Sequence, residues 1–218
     1  MYFTCQMEFD YRLHHPFAMS VAGASQSGKS TLIKELILQM DNIIYPKIQK
    51  LIYCYNEDEP NFAPEVLKKL SIQVSFQKGM EVDVPPGNDM PTLVVLDDFM
   101  EEASKSEEVC KIFSKYSHHR SMSVIITLQN FFYKNCRNLT LNSKYIVLFR
   151  NPRDSTIISF LGRQMNQGKS YPLLEQAYDD ATKNKPNSYL FIDLSQKQND
   201  NYRFRSNLFY SKAIVYTN

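Results

Sequence analysis

The sequence predicts an α/β fold with a mainly parallel central sheet flanked by helices. Short apolar runs of strand length alternate along the chain with amphipathic stretches of helical period, the pattern of strands joined through crossover helices. The first run passes into the first amphipathic stretch through Gly23-Ala24-Ser25-Gln26-Ser27-Gly28, a glycine-bounded turn of the kind that joins a strand directly to a helix. The 218 residues suffice for one such domain with a substantial core. No internal repeat or low-complexity segment divides them, so the expected organisation is a single domain over 1–218. It comprises an N-terminal extension (1–14), a core (15–194) and C-terminal strands or tail (195–218).

The first strand is expected over 17–22 and the first helix over 29–40. In that helix Leu32, Ile33, Leu36, Ile37 and Met40 fall on one face. Leu51-Ile52-Tyr53 marks a strand over 50–54. Pro60 and Pro64 read as breakers, 72–76 as a short strand, and 85–88 (Pro-Pro-Gly-Asn) as a loop. Thr92-Leu93-Val94-Val95-Leu96 is a continuous apolar run, as a strand covered on both faces should be. A helix over 100–116 follows, then strands over 123–128 and 144–149. A helix over 155–165 carries Ile157, Ile158, Leu161 and Met165 on one side. Pro172 suits the first turn of a helix reaching 183. The last strands are expected over 188–194 and 202–204.

At 43% hydrophobic and 22% charged, the composition is that of an ordinary soluble domain. The net charge of +2 does not mark a nucleic-acid binder, so any DNA contact must come from a local patch or from several subunits together. Cys5, Cys54, Cys110 and Cys136 form no C-x-x-C pair, which argues against a zinc site or disulfide framework and fits a reducing compartment. No apolar run reaches the length of a membrane span.

Gly23-x-x-x-x-Gly28-Lys29-Ser30 matches the phosphate-loop pattern at every fixed position. The glycines let backbone N–H groups of Gly23, Ala24, Ser25, Gln26, Ser27 and Gly28 wrap phosphate oxygens, and the helix adds its positive end. In that chemistry Lys29 reaches the β- and γ-phosphates of ATP, the Ser30 hydroxyl binds Mg²⁺, and Thr31 adds an α-phosphate contact. The fold class narrows to a P-loop NTPase, RecA/ASCE-like.

Leu93-Val94-Val95-Leu96-Asp97-Asp98 is an apolar strand ending in two carboxylates, a Walker B arrangement. In this reading Asp97 holds the Mg²⁺ hydration shell and Asp98 orients and deprotonates the attacking water. The alternative is that both acids cap the following helix. Many such enzymes carry Glu where Asp98 stands. Asp is shorter by one C–C bond, about 1.5 Å, so the water must sit closer or the backbone must shift. Val124-Ile125-Ile126-Thr127-Leu128-Gln129-Asn130 is a further strand, whose Gln129 either senses the γ-phosphate or is a solvated strand end. Lys111, Lys115, His118, His119 and Arg120 form a basic cluster upstream. Arg120 is either an arginine finger acting on a neighbouring subunit's ATP or a solvated cation at a helix end. Lys134, Arg137, Arg150, Arg153 and Arg163 are further candidate phosphate contacts. Phe131, Phe132 and Tyr133 suit core packing better than insertion into a partner.

Taken together, His15-Pro16-Phe17, the loop 23–30, Leu96-Asp97-Asp98, His119-Arg120-Ser121, Thr127-Leu128-Gln129-Asn130-Phe131-Phe132 and the segment from Leu141 to Asp154 resemble the genome-packaging ATPases of the FtsK–HerA superfamily. The similarity is greatest to the small enzymes of Polinton/Maverick elements, adintoviruses and virophages, related to the poxvirus packaging ATPase. It covers about residues 12–205, and Asn142–Asp154 is its most specific part. The resemblance implies a ring homo-oligomer, pentamer or hexamer, that pumps double-stranded DNA into a preformed capsid. It further implies a capsid or portal vertex partner and a site of action in the host cytoplasm or nucleus, or in the virion. By position, Lys29, Ser30, Asp97, Asp98 and Gln129 match the family's ATP site, and Arg120 falls in the segment holding its trans-acting arginine. The departure is Thr127-Leu128-Gln129 where relatives often have Leu-Thr-Gln. Two rival functions remain at this point. One is a helicase or DNA-processing ATPase of the same superfamily, and the other is a nucleotide-dependent switch that binds a protein partner.

Overall fold

The computed structural model describes residues 10–80, 82, 89–99, 121–129, 141–153, 156–168, 171–183, 185–196, 198–209 and 213–217. These form one nine-stranded sheet with helices on both faces and a separate two-stranded pairing.

The chain enters through β1 (Leu13–His14), β2 (Ala18–Ala22) and α1 (Lys29–Ile43). It continues through β3 (Ile44–Tyr45), β4 (Lys50–Tyr55), α2 (Ala63–Lys69) and β5 (Gln73–Lys78). Then come β6 (Thr92–Asp97), β7 (Met122–Leu128), β8 (Tyr145–Phe149), α3 (Thr156–Met165) and α4 (Pro172–Lys183). The last strands are β9 (Tyr189–Asp193), β10 (Phe204–Arg205) and β11 (Val215–Tyr216).

The sheet order is β5-β4-β6-β7-β2-β8-β9-β10-β11. From β5 to β8 every pairing is parallel. The strands β9, β10 and β11 extend the sheet in antiparallel fashion. The phosphate-loop strand β2 lies between β7 and β8, with Ala22 opposite both Leu128 and Leu148. The carboxyl ends of β2, β6 and β7 therefore meet at one edge, where ligands bind in open parallel sheets.

Alternation along β2 divides the core. Ala18 and Ala22 join the cluster containing Ile157, Ile158 and Leu161 of α3 and Leu174, Ala177 and Ala181 of α4. Met19 and Val21 join the cluster containing Leu32, Ile33, Leu36, Ile37 and Met40 of α1 and Val66 of α2. Burying each such Leu, Ile or Val contributes about 1.5–3 kcal/mol. β6 and β7 are covered on both faces, which explains their unbroken apolar sequences.

The expected strands and helices appear within three residues of their anticipated ends, with exceptions. Pro60 and Pro64 do not simply break the chain: Pro64 occupies the first turn of α2, where its missing N–H has no intrahelical partner to lose. The last strand, expected over 202–204, lies at β10 and is preceded by a 3₁₀ turn, Asp200–Tyr202, where Asn199 accepts the Asn201 N–H and caps a tight turn. The C-terminal strands belong to the main sheet, tied in by Arg205. Its buried guanidinium lies 4.4 Å from the Phe191 ring and 3.9 Å from the Asp193 carboxylate. The helix expected over 100–116 and the loop over 85–88 lie outside the described residues.

Before β2, the half-buried His15 has Nδ1 2.6 Å from Ser123 Oγ and Nε2 3.2 Å from Ser121 Oγ. Burial, with a contribution from Lys144, holds its pKa down to about 4, so the ring is neutral at pH 7.

Candidate nucleotide-binding and hydrolysis site

The loop after β2 is pinned to β7 by Gly23 N–H, which donates to Leu128 O at 3.0 Å. Gly23 must be glycine, because a Cβ there would lie 2.6 Å from Phe149 Cβ and from Ser27 Oγ. The loop tightens through Ser27 N–H to Ala24 O, 3.2 Å. It turns into α1 at Gly28, whose φ of +104° is open to glycine and strained for other residues. A Cβ on Gly28 would also meet Asn187 Cβ at 2.8 Å. Gln26 is left-handed as well, φ +62°. Ser25, Gln26, Ser30 and Thr31 are exposed, Ala24 and Lys29 half-buried.

Lys29 Nζ donates to the loop's own carbonyls, Gly23 O at 2.8 Å and Ala24 O at 2.9 Å. The ammonium is thereby held inside the loop. Burial lowers its pKa while Asp97 and Asp98 act to raise it. Both carboxylates thus face the lysine electrostatically across the strand ends.

The two aspartates are held differently. Asp97, half-buried at the end of β6, accepts Tyr53 Oη–H at Oδ2 (2.6 Å) and Thr127 Oγ1–H at Oδ1 (2.7 Å). Burial, reinforced by Asp97, raises the Tyr53 pKa, so the phenol stays a donor. Asp98 is exposed, with φ +62°, a region that aspartate tolerates better than most side chains. The backbone therefore turns out of the strand at this residue. Its N–H is fixed by Thr127 Oγ1 at 2.9 Å and its carbonyl accepts Asn56 Nδ2–H at 3.4 Å. Gln129 Nε2, beyond the end of β7, donates to Asp98 Oδ1 at 3.1 Å.

Of the residues singled out from the sequence, the structure brings Lys29, Asp97, Asp98 and Gln129 together. Ser30 stands in the first turn of α1. Arg120, with Lys111, Lys115, His118, His119, Phe131, Phe132, Tyr133, Lys134 and Arg137, lies outside the described residues. Three contributors were not expected: Tyr53, Asn56 and Thr127. The one signal for Thr127 was a hydroxyl inside an otherwise apolar run. Its Oγ1 ties Asp97 to Asp98 by serving both at once.

The donor set suits Mg²⁺. A hydroxyl and a carboxylate are hard oxygen ligands, and Mg²⁺ keeps several waters while taking one or two protein oxygens. Each Asp97 oxygen accepts one protein hydrogen bond, which leaves a lone pair for a metal-bound water. Among the described residues no cluster of three His, Cys, Asp or Glu suited to a metal occurs. No described helix is long and apolar enough to cross a membrane.

No family model and no curated protein sequence matches the chain. Solved structures do. The DNA-packaging ATPase B204 from Sulfolobus turreted icosahedral virus matches with a TM-score of 0.56 at 14% identity, covering 94% of this chain and 98% of that one. The genome-packaging NTPase B204 from Sulfolobus turreted icosahedral virus 2, bound to ATPγS, gives 0.53 at 13% identity, covering 93% and 97%. The cytoplasmic domain of the type VII secretion ATPase EccC from Thermomonospora curvata gives 0.52 at 12% identity, covering 96% of this chain and 26% of that one. The fold is that of P-loop NTPases, a mainly parallel sheet flanked by helices.

Proposed function

We propose that this chain is an ATPase motor that moves double-stranded DNA and packages a viral genome into a capsid. The observation that carries the reading is the convergence of Lys29, Asp97, Asp98 and Gln129 at the carboxyl ends of neighbouring strands, with Thr127 locking the two aspartates together. The names of the B204 structures, genome-packaging NTPase and DNA-packaging ATPase, support the same assignment. So does the resemblance of segment 141–154 to the Polinton, adintovirus and virophage enzymes.

In this mechanism the loop N–H groups and Lys29 hold the β- and γ-phosphates of ATP. Ser30, and Asp97 through the hydration shell, would hold Mg²⁺, which would neutralise phosphate charge. Gln129 and Asp98 orient a water for attack on the γ-phosphorus. As the water oxygen bonds to phosphorus, its proton passes to the Asp98 carboxylate, and the bond to the β–γ bridging oxygen breaks to leave ADP and phosphate. Subunits form a ring of five or six around DNA, with Arg120 of one subunit reaching the ATP of the next and a capsid vertex protein as the docking partner. A ring also answers the small net charge of +2: one modest basic patch per subunit becomes a continuous positive annulus that grips phosphates without reading bases.

The test is steady-state ATP hydrolysis with and without double-stranded DNA across a salt series. DNA should stimulate turnover, and the stimulation should fade as salt rises. Active hydrolysis indifferent to DNA of every length would overturn the motor assignment, and separation of forked strands would redirect it to a helicase.

A further inference from the structure

We infer that the cleft between the phosphate loop and the α4–β9 connection is the nucleoside subsite, and that it accepts the four common nucleoside triphosphates with little discrimination among bases. This rests on the nucleotide-hydrolysing function proposed above.

A nucleoside triphosphate is a rod with a phosphate end and a base end. Asp97, Asp98 and Gln129 fix the γ-phosphate end on the β6–β7 side of the loop, where Gly23 N–H is bonded to Leu128 O. The base end must then leave on the other side, toward β8 and α4. There a cleft of about 380 Å³ opens, lined among others by Ser27, Arg150, Lys183, Lys185, Asn187 and Ser188. That volume falls within the range of small-molecule sites, roughly 300–1,000 Å³. The loop and the cleft are in direct contact, since Asn187 sits over Gly28. Ser27 forms the cleft's loop side, and its Oγ is buried inside the loop with no hydrogen-bond partner among the described residues.

A second cleft of about 290 Å³ is lined by Ser30, Thr31, Lys34, Asn61, Phe62 and Glu65. It lies on the carboxylate side: Phe62 packs on Tyr53, whose hydroxyl holds Asp97. Lys34 and Glu65 are also joined there by a 2.6 Å ion pair. The α4–β9 cleft is the better nucleoside site.

Its chemistry argues for permissiveness. Arg and Lys only donate hydrogen bonds, and every base presents acceptors on its edge. Arg150, Lys183 and Lys185 can therefore each find an acceptor on any base, with guanine's adjacent O6 and N7 offering the most. Strong discrimination needs buried polar groups that the wrong base leaves unpaired. Here Arg150, Lys183, Lys185 and Asn187 are exposed, so water satisfies whatever the base does not. None of the described lining residues is aromatic, so none of them favours purines by stacking.

The experiment compares kcat/KM for ATP, GTP, CTP and UTP on the full chain. It also measures displacement of a fluorescent ADP analogue by each nucleotide and by inorganic tripolyphosphate. The four nucleotides should agree within about fivefold. Lys185→Ala and Arg150→Ala should each weaken all four by a similar factor, about three- to tenfold for one lost solvent-exposed hydrogen bond, and leave tripolyphosphate unchanged. A preference for one base beyond about tenfold overturns the inference. So does an equal loss for tripolyphosphate, which would make the cleft a phosphate site, or a loss confined to Lys34→Ala, which would move the nucleoside to the other cleft. Failure of the underlying function looks different: no nucleotide would displace the analogue, or Lys29→Ala would bind as well as the parent.

Discussion

The two sides of the phosphate loop are built on opposite plans. On the β6–β7 side, Tyr53 and Thr127 are buried, and their short hydrogen bonds fix Asp97 in both directions. On the β8–α4 side, the charged groups stand in solvent around an open cleft. A preorganised carboxylate pair suits the step where charge develops, since dipoles fixed in advance need no reorganisation during reaction. An open basic cleft suits recognition of whatever carries the phosphates. Substitutions on the first side should therefore damage turnover, and substitutions on the second should shift affinity.

The sharpest way to break that contrast is Asp98→Asn. It preserves the acceptor for Gln129 and the backbone geometry, so nucleotide affinity should stay within about threefold while kcat falls about 10²–10⁴-fold, the range for a general base. Unchanged turnover would remove Asp98 from that role. Next in size is Thr127→Val. The isosteric change deletes the donor to Asp97 and the acceptor for Asp98 N–H. Turnover should drop about 10–100-fold, as when an outer partner of a metal ligand is lost, with stability lower by about 1–3 kcal/mol for the stranded groups. Normal kinetics in Thr127→Val would mean that the two aspartates are set by the backbone alone.

A third effect, on stability and not on turnover, lies away from both sides. His15 titrates near 4 when folded because burial, aided by Lys144, disfavours its cation. An unfolded histidine titrates near 6.5. Between those values the unfolded chain takes up a proton that the folded chain refuses, so stability is full above pH 6.5 and declines as pH falls toward 4. Thermal unfolding midpoints across that window should show the decline, and His15→Asn should flatten it. An unaltered slope in the variant would assign the effect to other groups.

Much of the site was legible because its pieces are contiguous. The loop carries its own fixed residues, and Asp97, Asp98 and Gln129 sit where apolar runs stop, which is where parallel strands present their ends. Thr127 and Tyr53 were not legible. A threonine or tyrosine inside an apolar strand is an ordinary β-former, and only the register that sets β4, β6 and β7 side by side turns their hydroxyls toward Asp97. Of the cleft cations, Arg150 stood among the candidate phosphate contacts, while Lys183 and Lys185 were hidden for a related reason. Arg150 follows β8, whereas Lys183 and Lys185 lie more than thirty positions later, and antiparallel β9 is what returns the chain to the loop. Helix α2 was missed because Pro64 is a breaker in the middle of a helix and acceptable at its start.

The lysine of the phosphate loop brings its own competitors. Gly23 O and Ala24 O already occupy two of its three donors, so a ligand gains only the difference between its bonds to the ammonium and those it displaces. A singly charged anion, touching the lysine through one oxygen, gains at most the third donor. A chain of linked phosphates engages the ammonium, the loop N–H groups and the helix end together, and comes out ahead. The more of the loop a polyanion spans, the more of these groups it engages at once, which favours linked phosphates over small anions.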